Sequence, residues 1–174
     1  EKAIKNGSNN IFGPRIINLN NRKNWFCGGK ISKFSGQTSH IGLNSRNDYV
    51  SIKSSVVDYI SGCCMFLNKE TIFQLNGFKE VYKMYYEDVD LCLRARKEGI
   101  ICHYFSDIII YHIVSHSIGG RYGIKKYFLK LNSFIIFIFF NNNIGLFLFY
   151  FIINILLFPF VTILFLNRKI LWKN

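Results

Sequence analysis

The sequence YYEDVDLCLRARKEG at residues 85–99 contains the best-marked helix of the chain. Three carboxylates, Glu87, Asp88 and Asp90, fall in its first turn, and basic residues lie near its end. Charges of this sign at each end stabilise the helix dipole, and the final glycine of the stretch is a typical C-terminal stop. Asp90 and Arg94 are four residues apart, so we expect them to pair on the helix surface.

Further helices and strands are predicted on both sides of this helix. Asn68 is a suitable N-cap for a short helix over residues 69–75, and Gly77 would end it. Apolar runs predict strands at residues 56–67, with a kink at Ser61-Gly62, and at 100–105 and 108–112. The glycine-rich residues 1–55 predict short strands joined by turns. The order strand, helix, helix, strand, strand predicts an α/β domain.

The composition excludes a disordered chain. The chain has 174 residues, of which 50% are hydrophobic and only 18% are charged, and its net charge is +12. No acidic residue follows Asp107, whereas seven basic residues do, within an apolar tail. This pattern favours an anionic membrane surface as partner and argues against nucleic acid. The five cysteines show no CxxC spacing, which predicts reduced, mostly buried thiols in a cytosolic compartment.

The C-terminal third contains a long apolar segment. Residues 144–166 carry no charge, and 18 of these 23 residues are Ile, Leu, Phe or Val. A helix of this length would reach about 35 Å, enough to span a hydrocarbon layer of about 30 Å. The alternative is a buried core helix. The shorter run 134–140 is predicted to lie in the membrane interface or to pair with the longer one as a re-entrant hairpin, with the triplet 141–143 between them.

Several motifs occur in an order that is typical of one enzyme family. They are GPRI from residue 13, WFCGG from residue 25, SG at 61–62 before an apolar strand, GF at 77–78, YYEDVDLCLRA from residue 85 and YH at 111–112. Over residues 11–132 the chain resembles the C-terminal half of a family 2 inverting glycosyltransferase of the GT-A fold, close to rhamnosyltransferase-like members. The resemblance implies an acceptor-side part of a GT-A domain at residues 1–132. Residues 133–174 would follow as a membrane-associated hydrophobic segment with a basic tail.

The resemblance assigns catalysis to the acidic helix start. Inverting transfer needs a general base that takes a proton from the acceptor hydroxyl. Asp88 matches the position of that base, and Glu87 matches the acidic residue that helps to orient the acceptor. The helix dipole and free backbone N–H groups are expected to keep such a carboxylate ionised. The alternative is that these carboxylates only stabilise the start of the helix, and for Asp90 the pair with Arg94 makes this the preferred interpretation.

Four further residues are candidates for substrate or metal contacts. His112 matches a family position that helps to bind the divalent metal of the donor diphosphate, and Mn²⁺ suits imidazole better than Mg²⁺. Trp25 and Tyr86 offer aromatic faces for a sugar ring, and Gly62 would permit close approach of substrate. The alternatives are a structural histidine and ordinary core packing. Residues 125–132 resemble a tyrosine-rich family segment, with Leu131 in place of its usual arginine.

The resulting functional hypothesis is a membrane-associated glycosyltransferase fragment on the cytoplasmic side. It would use a nucleotide sugar as donor and a glycan or lipid-linked acceptor, and would build a cell-surface polysaccharide. The family's nucleotide-binding strand and its Asp-x-Asp motif are expected in a missing N-terminal half. That half would supply most of the ligands of the divalent metal. One alternative is a non-catalytic, membrane-anchored interaction module, and another is a small integral membrane protein with a basic cytosolic domain.

Overall fold

The structure is a computed structural model that describes residues 7–46, 53–113 and 124–141, together with residue 5 and residues 145, 148–153, 155–157 and 159. The strands are β1 Ile11–Asn18, β2 Asn24–Phe26, β3 Gly29–Ile31, β4 Thr38–His40, β5 Ser55–Val57 and β6 Cys102–His112. The helices are α1 Lys69–Gln74, α2 Glu87–Lys97 and α3 Ile124–Phe140. This mixture of strands and helices confirms the predicted α/β character.

The main sheet has the strand order β2-β1-β6-β5. Its central strands β1 and β6 run parallel, and the outer strands β2 and β5 are antiparallel to their neighbours. The pairing of β1 with β6 shifts after Pro14, so that Pro14 lies opposite Phe105 and the next residue lies opposite Ile109. Proline has no N–H to donate to a ladder, and it is tolerated in a sheet where the register is interrupted. Strands β3 and β4 form a separate two-stranded sheet.

Both predicted short helices are confirmed. The Asn68 side chain accepts a hydrogen bond from the Thr71 N–H at 2.7 Å and thereby caps α1. The backbone is left-handed at Asn76 (φ +55°) and Gly77 (φ +64°) after α1, and at Gly99 (φ +74°) after α2. Glycine tolerates this conformation without a steric penalty, which is why it stops a helix.

The strand predictions were only partly right. Residues 102–112 form one strand, β6, rather than two, although its irregular part coincides with the predicted break at Ser106-Asp107. The predicted strand 56–67 is wrong, because β5 ends at Val57. Beyond it, Tyr59 and Phe66 make only isolated bridges, to Gly29 and Phe12 respectively.

Helix α3 packs on the core, which corrects the interfacial prediction for residues 134–140. Phe134, Phe137 and Ile138 are buried, and the Ser133 hydroxyl donates to the Met84 carbonyl at 2.6 Å. The helix crosses residue 132, the predicted boundary between the two segments, without a break. Much of the predicted span 144–166 lies outside the described residues. Within the described part, none of the helices combines the length and the apolar character that a bilayer crossing requires.

The cysteines are free thiols, as predicted. Cys27, Cys92 and Cys102 are buried, Cys64 is half-buried and Cys63 is exposed. The Cys92 thiol contacts the backbone of Ile60, where the Ile60 N–H donates to Cys92 Sγ at 3.4 Å. This contact joins the middle of α2 to the segment that leads into the Ser61-Gly62 turn.

Candidate active site

A cavity of about 380 Å³ lies where several elements converge. Its size is within the usual range for sites that bind small ligands. It includes all six residues that the sequence singled out: Trp25, Gly62, Tyr86, Glu87, Asp88 and His112. The other lining residues are Thr38, His40, Tyr59, Ser61, Cys63, Met84, Tyr85, Val89, Lys126 and Lys130. The sequence-predicted residues are therefore brought together, although their individual roles stay predictions.

Backbone N–H groups hold the Asp88 carboxylate from two sides. Gly62 donates its N–H to Asp88 Oδ2 at 2.8 Å, and Val89 donates to Oδ1 at 2.8 Å. Gly62 was predicted to admit substrate to the backbone, and its observed partner is this carboxylate. Burial raises the pKa of Asp88, and this effect exceeds the lowering by the donating N–H groups. That direction is opposite to the one expected from the helix dipole alone, and it makes the ionised carboxylate a stronger base.

Glu87 adds a second carboxylate to the same wall. Burial, followed by the nearby charge of Asp88, raises the pKa of Glu87. Its Oε2 atom is buried and has no hydrogen-bond partner among the described residues. A buried carboxylate oxygen without a hydrogen-bond donor costs free energy. A ligand hydroxyl that donates a hydrogen bond to this oxygen would remove that cost. Adjacent carboxyl groups with raised pKa values in a cavity are typical of functional sites.

Strained backbone precedes these carboxylates. Tyr85 and Tyr86 both have positive φ angles, 69° and 66°, which are unfavourable for residues with a Cβ atom. Such strain costs on the order of 1–3 kcal/mol per residue and is concentrated at functional sites. The Tyr86 ring packs against Phe134 at 5.5 Å and Phe137 at 5.1 Å between ring centroids, so it anchors the turn to α3. Tyr86 therefore both packs in the core and lines the cavity, where it was predicted to contact a sugar ring.

An aromatic and imidazole cluster lines another part of the cavity. His112 lies at the end of β6 and packs against Trp25 with ring centroids 5.3 Å apart. His40 lies edge-on to Trp25 at 4.8 Å, and its Nδ1 donates to the Trp25 carbonyl at 3.0 Å. Burial lowers the pKa of His40, and the charge of Lys130 acts in the same direction. This shift favours the neutral imidazole, in which Nε2 is the acceptor nitrogen because Nδ1 donates to Trp25.

The described residues do not form a metal centre by themselves. In the described part of the chain, no group of three or more His, Cys, Asp and Glu side chains is placed to hold a metal ion. His112 would supply a single ligand at most, and its ring is held by Trp25.

Asp90 has a structural role. It is only 2% exposed and accepts hydrogen bonds from Arg94 Nε at 2.7 Å and Lys79 Nζ at 3.0 Å. Arg94 also donates to the carbonyls of Leu75 and Gly77, which ties the end of α1 to α2. The predicted pair of Asp90 with Arg94 is confirmed, but the prediction that it lies on the surface is wrong.

Several polar cavity residues were not identified as site residues from the sequence, among them His40, Lys126 and Lys130. For the lysines a signal existed, because they are four residues apart in a segment that was predicted to matter. His40 stands alone in a loop-rich region, and no local pattern distinguishes it from an ordinary histidine.

Several curated proteins with names of sugar transferases match part of the chain. No family model matches the chain. The chain is 37% identical over 62 residues to rhamnosyltransferase WbbL of Escherichia coli K12, a match that covers 36% of this chain and 24% of that protein. The chain resembles glycosyltransferases over this stretch. A second relative, N-acetylglucosaminyl-diphospho-decaprenol L-rhamnosyltransferase of Mycobacterium tuberculosis, is 38% identical over 63 residues, which are 36% of the chain and 20% of the relative.

A third relative comes from an archaeon. Low-salt glycan biosynthesis hexosyltransferase Agl10 of Haloferax volcanii is 39% identical over 44 residues, which cover 25% of this chain and 14% of the relative. The chain thus spans about a quarter or less of the length of these curated relatives.

Proposed function

We propose that the chain is the acceptor-side part of an inverting glycosyltransferase. The observation that carries the proposal is the Asp88 carboxylate, which two backbone N–H groups fix in a cavity. Glu87 lines the same cavity, and its buried Oε2 atom has no hydrogen-bond partner in the described part of the chain. The similarity to sugar transferases supports the same class. A GT-A fold of family 2 is part of this proposal.

In the proposed reaction the acceptor hydroxyl attacks the anomeric carbon of a nucleotide sugar. Asp88 accepts the hydroxyl proton as the new glycosidic bond forms, and the bond to the nucleoside diphosphate breaks with its electron pair on the leaving oxygen. Glu87 accepts a hydrogen bond from a neighbouring hydroxyl and orients the acceptor. Trp25 offers an aromatic face to the sugar ring. Attack opposite the leaving group inverts the anomeric configuration.

The substrate class follows from the names of the relatives. Two are rhamnosyltransferases and one is a hexosyltransferase, which supports a hexose or deoxyhexose as the transferred sugar. One relative is named for an acceptor with a diphosphate-linked lipid, so we propose a lipid-linked glycan acceptor for cell-surface polysaccharide synthesis. A divalent metal, with His112 as one ligand, stays a prediction of the family resemblance.

Membrane association at the cytoplasmic side is part of the proposal as well. Its support is a group of large apolar side chains that are 47–64% exposed: Leu148, Phe149, Phe151, Ile152, Ile155, Leu156 and Leu157. Exposed apolar surface of this extent marks a membrane or protein contact.

The proposal is tested by a transfer assay with the protein expressed from its complete gene. Nucleotide sugars that include deoxyhexose and hexose donors are incubated with a lipid-linked N-acetylglucosamine acceptor, and NMR gives the anomeric configuration of the product. We expect transfer from one donor with inversion. A product that retains the donor configuration would contradict the assignment of Asp88 as base. A folded protein that transfers no sugar would favour the non-catalytic interaction module.

A further inference from the structure

The cavity has a basic side that the proposed proton transfer does not use. Lys126 and Lys130 both line it, and they are four residues apart on α3. Side chains at this spacing lie on the same face of a helix, with Cβ atoms about 5–6 Å apart. The carboxylates of Glu87 and Asp88 belong to α2, so the acidic and the basic side chains of the cavity come from two different helices.

The Lys130 ammonium lacks an anionic partner within the described part of the chain. The carboxylates that form ion pairs there are engaged elsewhere, Asp58 with Arg96 and Asp90 with Lys79 and Arg94. Lys130 and His40 both line the cavity, and the Lys130 charge contributes to the low pKa of that imidazole. Two positive charges that line the cavity together with His40 favour an anionic group of the ligand.

The anion that fits best is a diphosphate. An ammonium group is a compact charge that binds phosphate oxygens strongly, and two of them one helical turn apart can engage two linked phosphates. A single sugar carboxylate would use only one of them. Resting on the proposed function, we propose that Lys126 and Lys130 bind the diphosphate group of a glycosyl substrate. The diphosphate belongs either to the nucleotide sugar, where it leaves in the reaction, or to the lipid-linked acceptor.

Binding of inorganic pyrophosphate tests the site without requiring catalysis. Isothermal titration calorimetry is performed on the protein expressed from its complete gene, as wild type and as Lys126→Gln, Lys130→Gln and Lys130→Arg. We expect each glutamine variant to bind about tenfold or more weakly, the scale of a lost charged hydrogen bond, and Lys130→Arg to retain binding. Lys125→Gln is the matched control, because Lys125 is exposed on the same helix and is not among the residues that line the cavity.

Steady-state kinetics then separates the two sources of the diphosphate. A higher KM for the nucleotide sugar in Lys130→Gln assigns the site to the donor, and a higher KM for the lipid-linked acceptor assigns it to the acceptor. Wild-type pyrophosphate affinity in both glutamine variants would overturn the proposal, as would an equal loss in Lys125→Gln. Lysine-dependent binding in a protein that transfers no sugar would support the anion site and contradict the proposed function.

Discussion

Asp88 should give the reaction a characteristic dependence on pH. Burial raises the pKa of Asp88, so the base becomes protonated and inactive at a pH above the ordinary aspartate value of about 3.9. We expect kcat/KM to fall as the pH decreases through this raised value and to be constant above it, until another group titrates. The measurement is a pH–rate profile of the protein expressed from its complete gene.

Glu87 provides the control for this profile, because its pKa is raised as well. In Glu87→Gln the acidic limb should persist at a lower overall rate, since Asp88 still titrates. Glu87→Gln removes a negative charge next to Asp88, which should lower the pKa of Asp88 slightly and move the limb to lower pH. Disappearance of the limb in Glu87→Gln would transfer the role of the base to Glu87.

Asp90 should stabilise the packing of α2 against the end of α1, because it pairs with Arg94, which donates to the carbonyls of Leu75 and Gly77. Asp90→Ala leaves the Arg94 charge half-buried without its carboxylate, and breaking a buried pair in this way costs about 3–5 kcal/mol. Chemical denaturation measures the free energy of unfolding. Glu80→Ala is the control, since Glu80 is exposed and a surface substitution changes stability by about 0.5 kcal/mol or less. Equal stability of the two variants would contradict this role.

Gly29 connects strand β3 to a wall of the cavity. A Cβ atom at Gly29 would lie 2.1 Å from the Tyr59 ring, and Tyr59 lines the cavity. Gly29→Ala should therefore destabilise the fold by about 1–3 kcal/mol, the usual cost of overpacking. Gly145→Ala is the control, because nothing lies within 4 Å of an added Cβ there. Thermal unfolding compares the two, and an unchanged melting temperature for Gly29→Ala would show that the ring moves aside freely.

The sequence predicted those elements whose signals are local. Asn68 caps α1 and charges mark both ends of α2, so both helices and the position of Asp88 followed from neighbouring residues. The continuity of β6 depends on pairing with β1, about 90 residues away, and could not be predicted. Similarly, the apolar run 134–138 has the composition of a membrane contact, and only its packing against Tyr86 shows that it belongs to the core.

Cavity composition was predictable only where motifs exist. Glu87 and Asp88 belong to a recognisable block, whereas His40 reaches the cavity through the hairpin of β3 and β4. The cost of desolvating Asp88 also depends on tertiary burial, so the rise of its pKa could not be predicted from the helix start alone.

At the scale of the whole molecule, the exposed apolar residues at 148–157 should attach the protein to a bilayer. We expect the protein expressed from its complete gene to stay with membranes in alkaline carbonate. A double variant, Ile155→Lys with Leu156→Lys, should be released, since each lysine costs about 2.5–3.5 kcal/mol in the hydrocarbon layer. Leu43→Lys is the control, because Leu43 is 51% exposed elsewhere on the surface. Release of the wild type by carbonate would contradict this hydrophobic attachment to the bilayer.

The most direct test of the proposed chemistry is the turnover of Asp88→Asn. The amide keeps one acceptor for the N–H groups of Gly62 and Val89 and loses the other, so a stability cost of about 1–3 kcal/mol is expected. Turnover is therefore measured well below the melting temperature, with Glu80→Gln as the control for loss of a carboxylate. We expect kcat to fall at least about a hundredfold in folded Asp88→Asn and to be unchanged in Glu80→Gln. Near-normal turnover by folded Asp88→Asn would contradict the role of Asp88 as the base.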